Sequence, residues 1–254
     1  MSGDLRTIRA LMGRGLNEIL RVPGGAIPGV LAPTIFMLGL SAAFGKAAAL
    51  PNFTADDFRT FIVPVGMLQG AGFTGAATGV NLARDIEQGW FDRLMLAPAR
   101  RSVLLAGVVA SACLRCLLPA TFLLVVAFSL GVDWPGVGAL ALGALLIMGL
   151  AAAAACYATV LALRFRTQQA APLMQVGTFV AILFTTAYVP RELLSDWLRA
   201  IADLNPVTHV LEGVRQGFIG DVTWAQTWPA LVALAGLVGL FGALAVRGMR
   251  RQGR

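Results

Sequence analysis

Long runs without a single charge alternate along this chain with short clusters crowded with charge. Charge-free runs cover 22–45, 60–83, 134–163, 167–190 and 222–246, and a sixth, 102–132, is interrupted only by Arg115. A run of about 24 residues makes about 36 Å of helix, enough to cross a hydrocarbon core about 30 Å thick. The pattern therefore predicts an all-α membrane protein with six transmembrane helices. Two further segments are amphipathic at helical spacing. Within 1–21, Leu5, Ile8, Met12, Leu16 and Ile19 recur beside Arg6, Arg9 and Arg14, which predicts a helix lying in the membrane interface. Within 191–221, Leu194, Trp197, Leu198 and Ile201 form one stripe and Val207, Val210, Leu211, Val214 and Phe218 a second, separated by Asn205-Pro206. These predict two short outer-leaflet helices between spans 5 and 6. No internal repeat or low-complexity linker divides the chain, so 1–254 is expected to form a single membrane domain.

Composition strengthens this reading. Of the residues, 57% are hydrophobic and 13% charged, against about 25% charged in soluble domains; the mean hydropathy is +0.76. The first twenty residues are basic and amphipathic without an apolar core, which is not the pattern of a cleavable signal peptide. Placing both termini in the cytoplasm puts fourteen of the 20 Lys and Arg on that side and five on the other, with Arg115 inside a span. That bias sets the expected orientation. It also accounts for the net charge of +7 without nucleic acid as a partner. The expected location is the bacterial cytoplasmic (inner) membrane.

Candidate chemistry is sparse. All 13 Asp and Glu lie outside the six runs, and the one His, His209, sits in the outer segment. Ion-coupled carriers usually hold ionisable groups on an ion path within the membrane, and membrane enzymes want paired carboxylates, His or a metal cluster. Cys113 and Cys116 spell C-x-x-C, but with no nearby His or second pair they read as small apolar residues one turn apart, so no metal site is expected. There is no G-x-x-x-x-G-K-[ST] loop. The chain is thus expected to be no enzyme by itself and to bind no cofactor; energy for uphill movement would come from a separate polypeptide. The alternatives are a secondary carrier, a membrane enzyme, or a non-transporting anchor for another protein. Dependence on a proton gradient, turnover by the pure chain, or absence of transport would single out each.

Polar groups inside the runs are concentrated in spans 2 and 5. Gly66, Gly70, Thr74 and Thr78 recur every four residues, with Gly75, Gly79, Gln69 and Asn81 beside them. Gln175, Thr178 and Thr185 share a face of span 5. Small residues allow close helix approach, and amides and hydroxyls avoid lipid. These faces suit intramolecular packing, a transport pathway or a dimer seam equally. An isolated Arg115 within a span costs about 2.5–3.5 kcal/mol, so it needs a partner or a wet cavity, for structural pairing or for contact with cargo. Pro119, one turn on, removes an N–H and frees a carbonyl.

Between spans 2 and 3 lies the densest polar cluster, "RDIEQGWFDRLMLAPARR" at 84–101. This stretch, with "SVLLAG" after it, is similar to the signature loop of the type-2 ABC export permeases, through Glu87, Gly89, Arg93, Leu94 and Pro98. The segment "YVPRELLSDWLRAIADLNPVTHVLEGVRQGFIG" is similar to that family's connection between spans 5 and 6, including its Asn-Pro pair. The flavour is that of the daunorubicin/doxorubicin-resistance permeases. Trp90 departs from the small polar residue common at its position. The resemblance covers essentially the whole chain. It implies a permease subunit of an ATP-driven exporter of an amphipathic cargo (a drug, a lipid or a lipid-linked glycan), hence drug efflux and antibiotic resistance. It implies a cytoplasmic coupling loop at 84–101 that docks on an ABC ATP-binding subunit, through Glu87, Gly89, Trp90, Phe91, Arg93, Leu94 and Pro98. It implies a second permease subunit, identical or related, and ATP and Mg on the partner ATPase. Spans 2 and 5 would then line the path or dimer seam.

Overall fold

The computed structural model describes residues 2–21, 23–51, 53–96 and 100–252, and the side chains there apart from those of 2, 18–21, 23–28 and 252. Eleven α-helices are found among them. They are α1 (Ser2–Arg21), α2 (Pro23–Phe44), α3 (Phe58–Glu87), α4 (Trp90–Met95), α5 (Arg101–Arg115), α6 (Leu117–Ser129), α7 (Val137–Phe165), α8 (Ala171–Leu183), α9 (Asp196–Leu204), α10 (Pro206–Ile219) and α11 (Trp224–Gln252). Local sequence explains several of the boundaries. Asp57 caps α3 by accepting from the Arg59 N–H at 2.9 Å. Gly89 at φ 70 makes the turn between α3 and α4, a backbone geometry that favours glycine. Asn205 caps α10 at the Val207 N–H, with Pro206 in the first turn.

Helix α3 is the axis of the bundle, packed against α2, α6, α7, α8 and α10; α11 closes over α7 and α10, and α1 lies along α5. Two buried apolar clusters follow α3 from end to end. One gathers Phe58, Phe61, Met67, Leu123, Leu146 and Leu211 near its start. The other gathers Ile86, Phe91, Leu105, Leu163, Met174 and Met249 near its finish. The α9–α10 pair and the α4 segment therefore sit at opposite ends of the bundle.

The expectation of six spans is corrected. Among the described residues four helical stretches are long and apolar enough to cross a membrane: Gly29–Ala49, Arg101–Ser129, Val137–Phe165 and Trp224–Arg251. Run 60–83 is fully helical within α3, but its Gly, Thr, Gln and Asn dilute its apolarity, and most of it is buried by other helices. Run 167–190 fails on length. Its helix, α8, has 13 residues, about 20 Å, and residues 184–189 have left the helix. Absence of charge is thus not sufficient for a span, because interior helices shielded by neighbours also lack charge. Of the two helices expected between spans 5 and 6, α9 leaves Trp197, Ile201 and Leu204 exposed, whereas α10 is buried along most of its length. Run 102–132 bends where α5 gives way to α6 at Cys116. Pro119 has no N–H for the Arg115 carbonyl, which is the physical reason for a break there.

Candidate functional site

The charged cluster at 84–101 is where four parts of the chain are tied together. Arg14 of α1 donates through Nη2 to Asp85 Oδ1 at 2.7 Å, and its guanidinium lies 3.6 Å from the centroid of the Trp90 ring. Glu87 Oε1 accepts from the Thr167 hydroxyl at 2.7 Å and the Gln168 N–H at 3.0 Å, and its Oε2 accepts from Gln168 Nε2 at 2.7 Å. These bonds, the Gln168 side chain foremost and then the Thr167 hydroxyl, hold the Glu87 carboxyl below its ordinary range. Arg101 Nη1 donates to the Met95 carbonyl at 3.0 Å, across the turn to α5. The end of α3, the α4 helix, the connection between α7 and α8, and the N-terminal helix are in this way joined as one unit.

The expected docking residues divide between two roles. Phe91 is 1% exposed and belongs to the chain's own core. Trp90 is half-buried under Arg14, and Glu87 is engaged with the α7–α8 connection. Gly89 supplies the turn, and Leu94 lines a small cavity with Arg14, Asn81, Ser111 and Arg115. Asp92, Arg93 and Leu96 face outward, Leu96 at 86% exposure. Pro98 lies outside the described residues. Sequence pattern alone did not reveal the partners Arg14, Asp85, Thr167 and Gln168. The signal available was the Arg14 position on the polar face of the amphipathic segment.

The small-residue stripe of α3 makes contacts within the chain. A Cβ at Gly75 would lie 2.6 Å from Ala154 Cβ, and one at Gly79 would lie 2.4 Å from Ala158 Cβ, so α3 and α7 touch backbone to backbone. Gly66 faces Leu123 and Gly70 faces Pro119, both of α6, while Gly72 faces Thr178 of α8. Gln69 Nε2 donates to the Tyr188 hydroxyl at 3.0 Å. The Thr74 and Thr78 hydroxyls donate to carbonyls four residues back, at 2.8 and 3.0 Å. Arg115 is buried and donates to Thr78 Oγ1, a structural pairing of α5 with α3. Thr178 is buried, whereas Gln175 is exposed on α8 beside Leu173 and Val176. Cys113 and Cys116 donate to the Met148 and Cys113 carbonyls at 3.4 and 3.1 Å, as packing residues.

The opposite end of the bundle carries a second polar network. Asn205 Nδ2 donates to the carbonyls of Ala181 and Phe184, at 2.7 and 2.9 Å, and so ties the start of α10 to the end of α8. Arg215, 3% exposed, donates to Glu212 Oε1 at 2.9 Å and to the Ala187 carbonyl at 3.2 Å, with its guanidinium 3.9 Å from the Phe61 ring centroid. The i, i+3 spacing of Glu212 and Arg215 in an otherwise apolar stripe was the one sequence signal for this pair.

Four apolar helices of spanning length, around a buried axis helix and with charge held at the two ends, define a multi-pass helical membrane protein. The chain belongs to the ABC-2 type transporter family, whose model matches residues 6–219. It is 24% identical to the daunorubicin resistance ABC transporter permease protein DrrB1 of Streptomyces coeruleorubidus, over 92% of this chain and 82% of that one. It is 29% identical to the probable multidrug ABC transporter permease YbhR of Escherichia coli (strain K12), over 70% of this chain and 50% of that one. It is accordingly a membrane permease of a non-enzymatic family, and it carries no nucleotide-binding loop of its own.

Proposed function

We propose that this chain is the permease subunit of an ATP-driven exporter of an amphipathic cargo, and that the α4 segment couples it to a separate ATP-binding subunit carrying ATP and Mg. The observation that carries the reading is the chain of contacts around α4: its Trp90 lies under Arg14 of α1, Arg14 pairs with Asp85 of α3, and Glu87 at the end of α3 holds Gln168 of the α7–α8 connection, with Arg93 and Leu96 left facing outward. A force applied at Arg93 and Leu96 passes through short polar contacts into the axis helix rather than dissipating in a loose loop. An exposed Leu between charged residues is the composition of a protein contact more than of a solvated turn. Gln175, on the exposed apolar face of α8, favours a second permease subunit there, because an amide is poorly placed against lipid. In this reading residues 84–101 face the cytoplasm of a bacterial cell, with residues 1–21 in the interface beside them.

The test is co-purification with a cassette ATPase, together with stimulated ATP hydrolysis. Arg93→Ala and Leu96→Ala should leave membrane abundance unchanged and weaken both readouts, by about 1–3 kcal/mol in association for an anchor residue. Full cassette binding and stimulation in both variants refutes coupling through α4. A single cysteine at Gln88, in a chain without the native three, should label only from the cytoplasmic side of the membrane; labelling from outside intact cells refutes that placement.

A further inference from the structure

Helices α7 and α11 run parallel and in step. A Cβ at Gly149 would lie 2.7 Å from Leu234 Cδ1, one at Gly242 would lie 3.8 Å from Cys156 Sγ, and one at Gly248 would lie 3.1 Å from Leu163 Cδ1. The two helices therefore finish at one level, at the end of the bundle that carries α4, where Leu163 and Met249 join the cluster of Ile86 and Phe91. Arg164 follows Leu163 in the chain, and Arg247 precedes Gly248. With Arg250 and Arg251 they put four exposed arginines on two adjoining helix ends.

Nothing in the chain balances this charge. Neither helix contains an Asp or Glu. Other arginines at this end are engaged: Arg14 holds Asp85, Arg101 holds the Met95 carbonyl, and Arg166 lies 3.8 Å from Asp92. Among the described residues no side-chain hydrogen bond or ion pair reaches Arg164, Arg247, Arg250 or Arg251. Like charges one turn apart repel, and Arg247 stands in that relation to both Arg250 and Arg251.

The face of α11 that leads to these arginines is apolar. Val232, Gly236, Leu240 and Leu244 recur at four-residue spacing and are exposed, and Arg247 and Arg251 continue the same face. Helix α11 is one of the stretches of spanning length, so this stripe meets hydrocarbon and its last turn meets the headgroup layer. A helix dipole draws cations to a C-terminus from any side. A face that is apolar for about three turns and then cationic fits an acyl chain that ends in a phosphate. A guanidinium fork can hold two phosphate oxygens at once. A second copy packed on this face about a two-fold axis would instead bring arginine to arginine.

We propose that the adjoining ends of α7 and α11 bind the headgroup of an anionic phospholipid. Its phosphate is held by Arg247 and Arg251 with Arg164 beside them, and its acyl chains lie along Leu240 and Leu244. Net charge selects the lipid, because a zwitterionic headgroup brings its own cation to the arginines.

The test needs neither nucleotide nor a cassette subunit, so it stands apart from the coupling reading. The full chain is released from vesicles of equal phosphatidylglycerol and phosphatidylcholine, and native mass spectrometry reads the lipid it retains. Wild type should retain phosphatidylglycerol over phosphatidylcholine by at least about fivefold, the effect of one arginine at an anionic headgroup. Arg247→Gln with Arg251→Gln should cut that ratio by about fivefold or more, whereas Arg247→Lys with Arg251→Lys, which keeps the charge, should preserve most of it. Equal retention of the two lipids, an unchanged ratio in the glutamine variant, an equal loss in the lysine variant, or displacement of phosphatidylglycerol by inorganic phosphate at constant ionic strength overturns the proposal. So does efficient disulfide formation between copies through a single cysteine at Leu244, in a chain without the native three, since protein would then cover this face.

Discussion

Gly79→Ala adds one methyl group at the closest approach of the two most intimately packed helices. Its Cβ would lie 2.4 Å from Ala158 Cβ, 2.6 Å from the Ala158 carbonyl carbon and 2.7 Å from its oxygen. Carbon atoms pack comfortably at about 3.5–4.0 Å, so α3 and α7 must part by about 1 Å. The Ala158 neighbours are backbone and a methyl group, with no flexible side chain to swing aside. Overpacking of this kind costs about 1–3 kcal/mol. Alanine also favours a helix over glycine by about 1 kcal/mol, and this must be removed from the comparison. Gly39→Ala in α2 does so, because its Cβ would meet nothing within 4 Å. Relative to Gly39→Ala, Gly79→Ala should be less stable by about 1–3 kcal/mol, a fall of roughly 5 °C in melting temperature at about 2–4 °C per kcal/mol. Thermal unfolding of the purified chain in one detergent reads the difference. If Gly79→Ala melts as high as Gly39→Ala, α3 and α7 are not in backbone contact and the role given to the stripe is wrong.

Three further outcomes follow from named contacts. The Glu87 carboxyl is held low by Gln168 and Thr167, so its stabilising contribution is fully present above the ordinary Glu range and is lost as acidification carries pH through the lowered value; Glu87→Gln should flatten that part of the melting-temperature-against-pH curve, and an unchanged curve counts against the clamp. Arg14→Ala and Trp90→Ala should be non-additive, with a coupling of about 0.5–1 kcal/mol in a double-mutant cycle of thermal stability; strict additivity would separate α1 from α4. Asn205→Ala removes a helix cap and leaves the Ala181 and Phe184 carbonyls without their donor, at a cost of about 1–3 kcal/mol, whereas Asn205→Asp keeps the cap and should fall between it and wild type.

The all-α membrane character was legible in the sequence, because lipid imposes long apolar helices on any chain that crosses it. So were the charged island at 84–101 and the break at Asn205-Pro206, each encoded by neighbours in the chain. The number of spanning helices was not. Both α3 and α8 come from charge-free runs, yet α3 is shielded by the helices around it and α8 ends after 13 residues. Burial by protein and burial by lipid leave the same mark on a sequence, the absence of charge, and only neighbours in space distinguish them. The same holds for single residues. Phe91 sits among docking candidates in sequence but turns into the core, and Glu87 meets Gln168 across 81 residues of chain. Glu212 and Arg215 stand one turn apart on one helix, but the Ala187 carbonyl and the Phe61 ring that complete their network come from the chain after α8 and from α3. Periodicity records what a residue is beside within a few positions, so partners supplied by distant segments are decided by the tertiary structure alone.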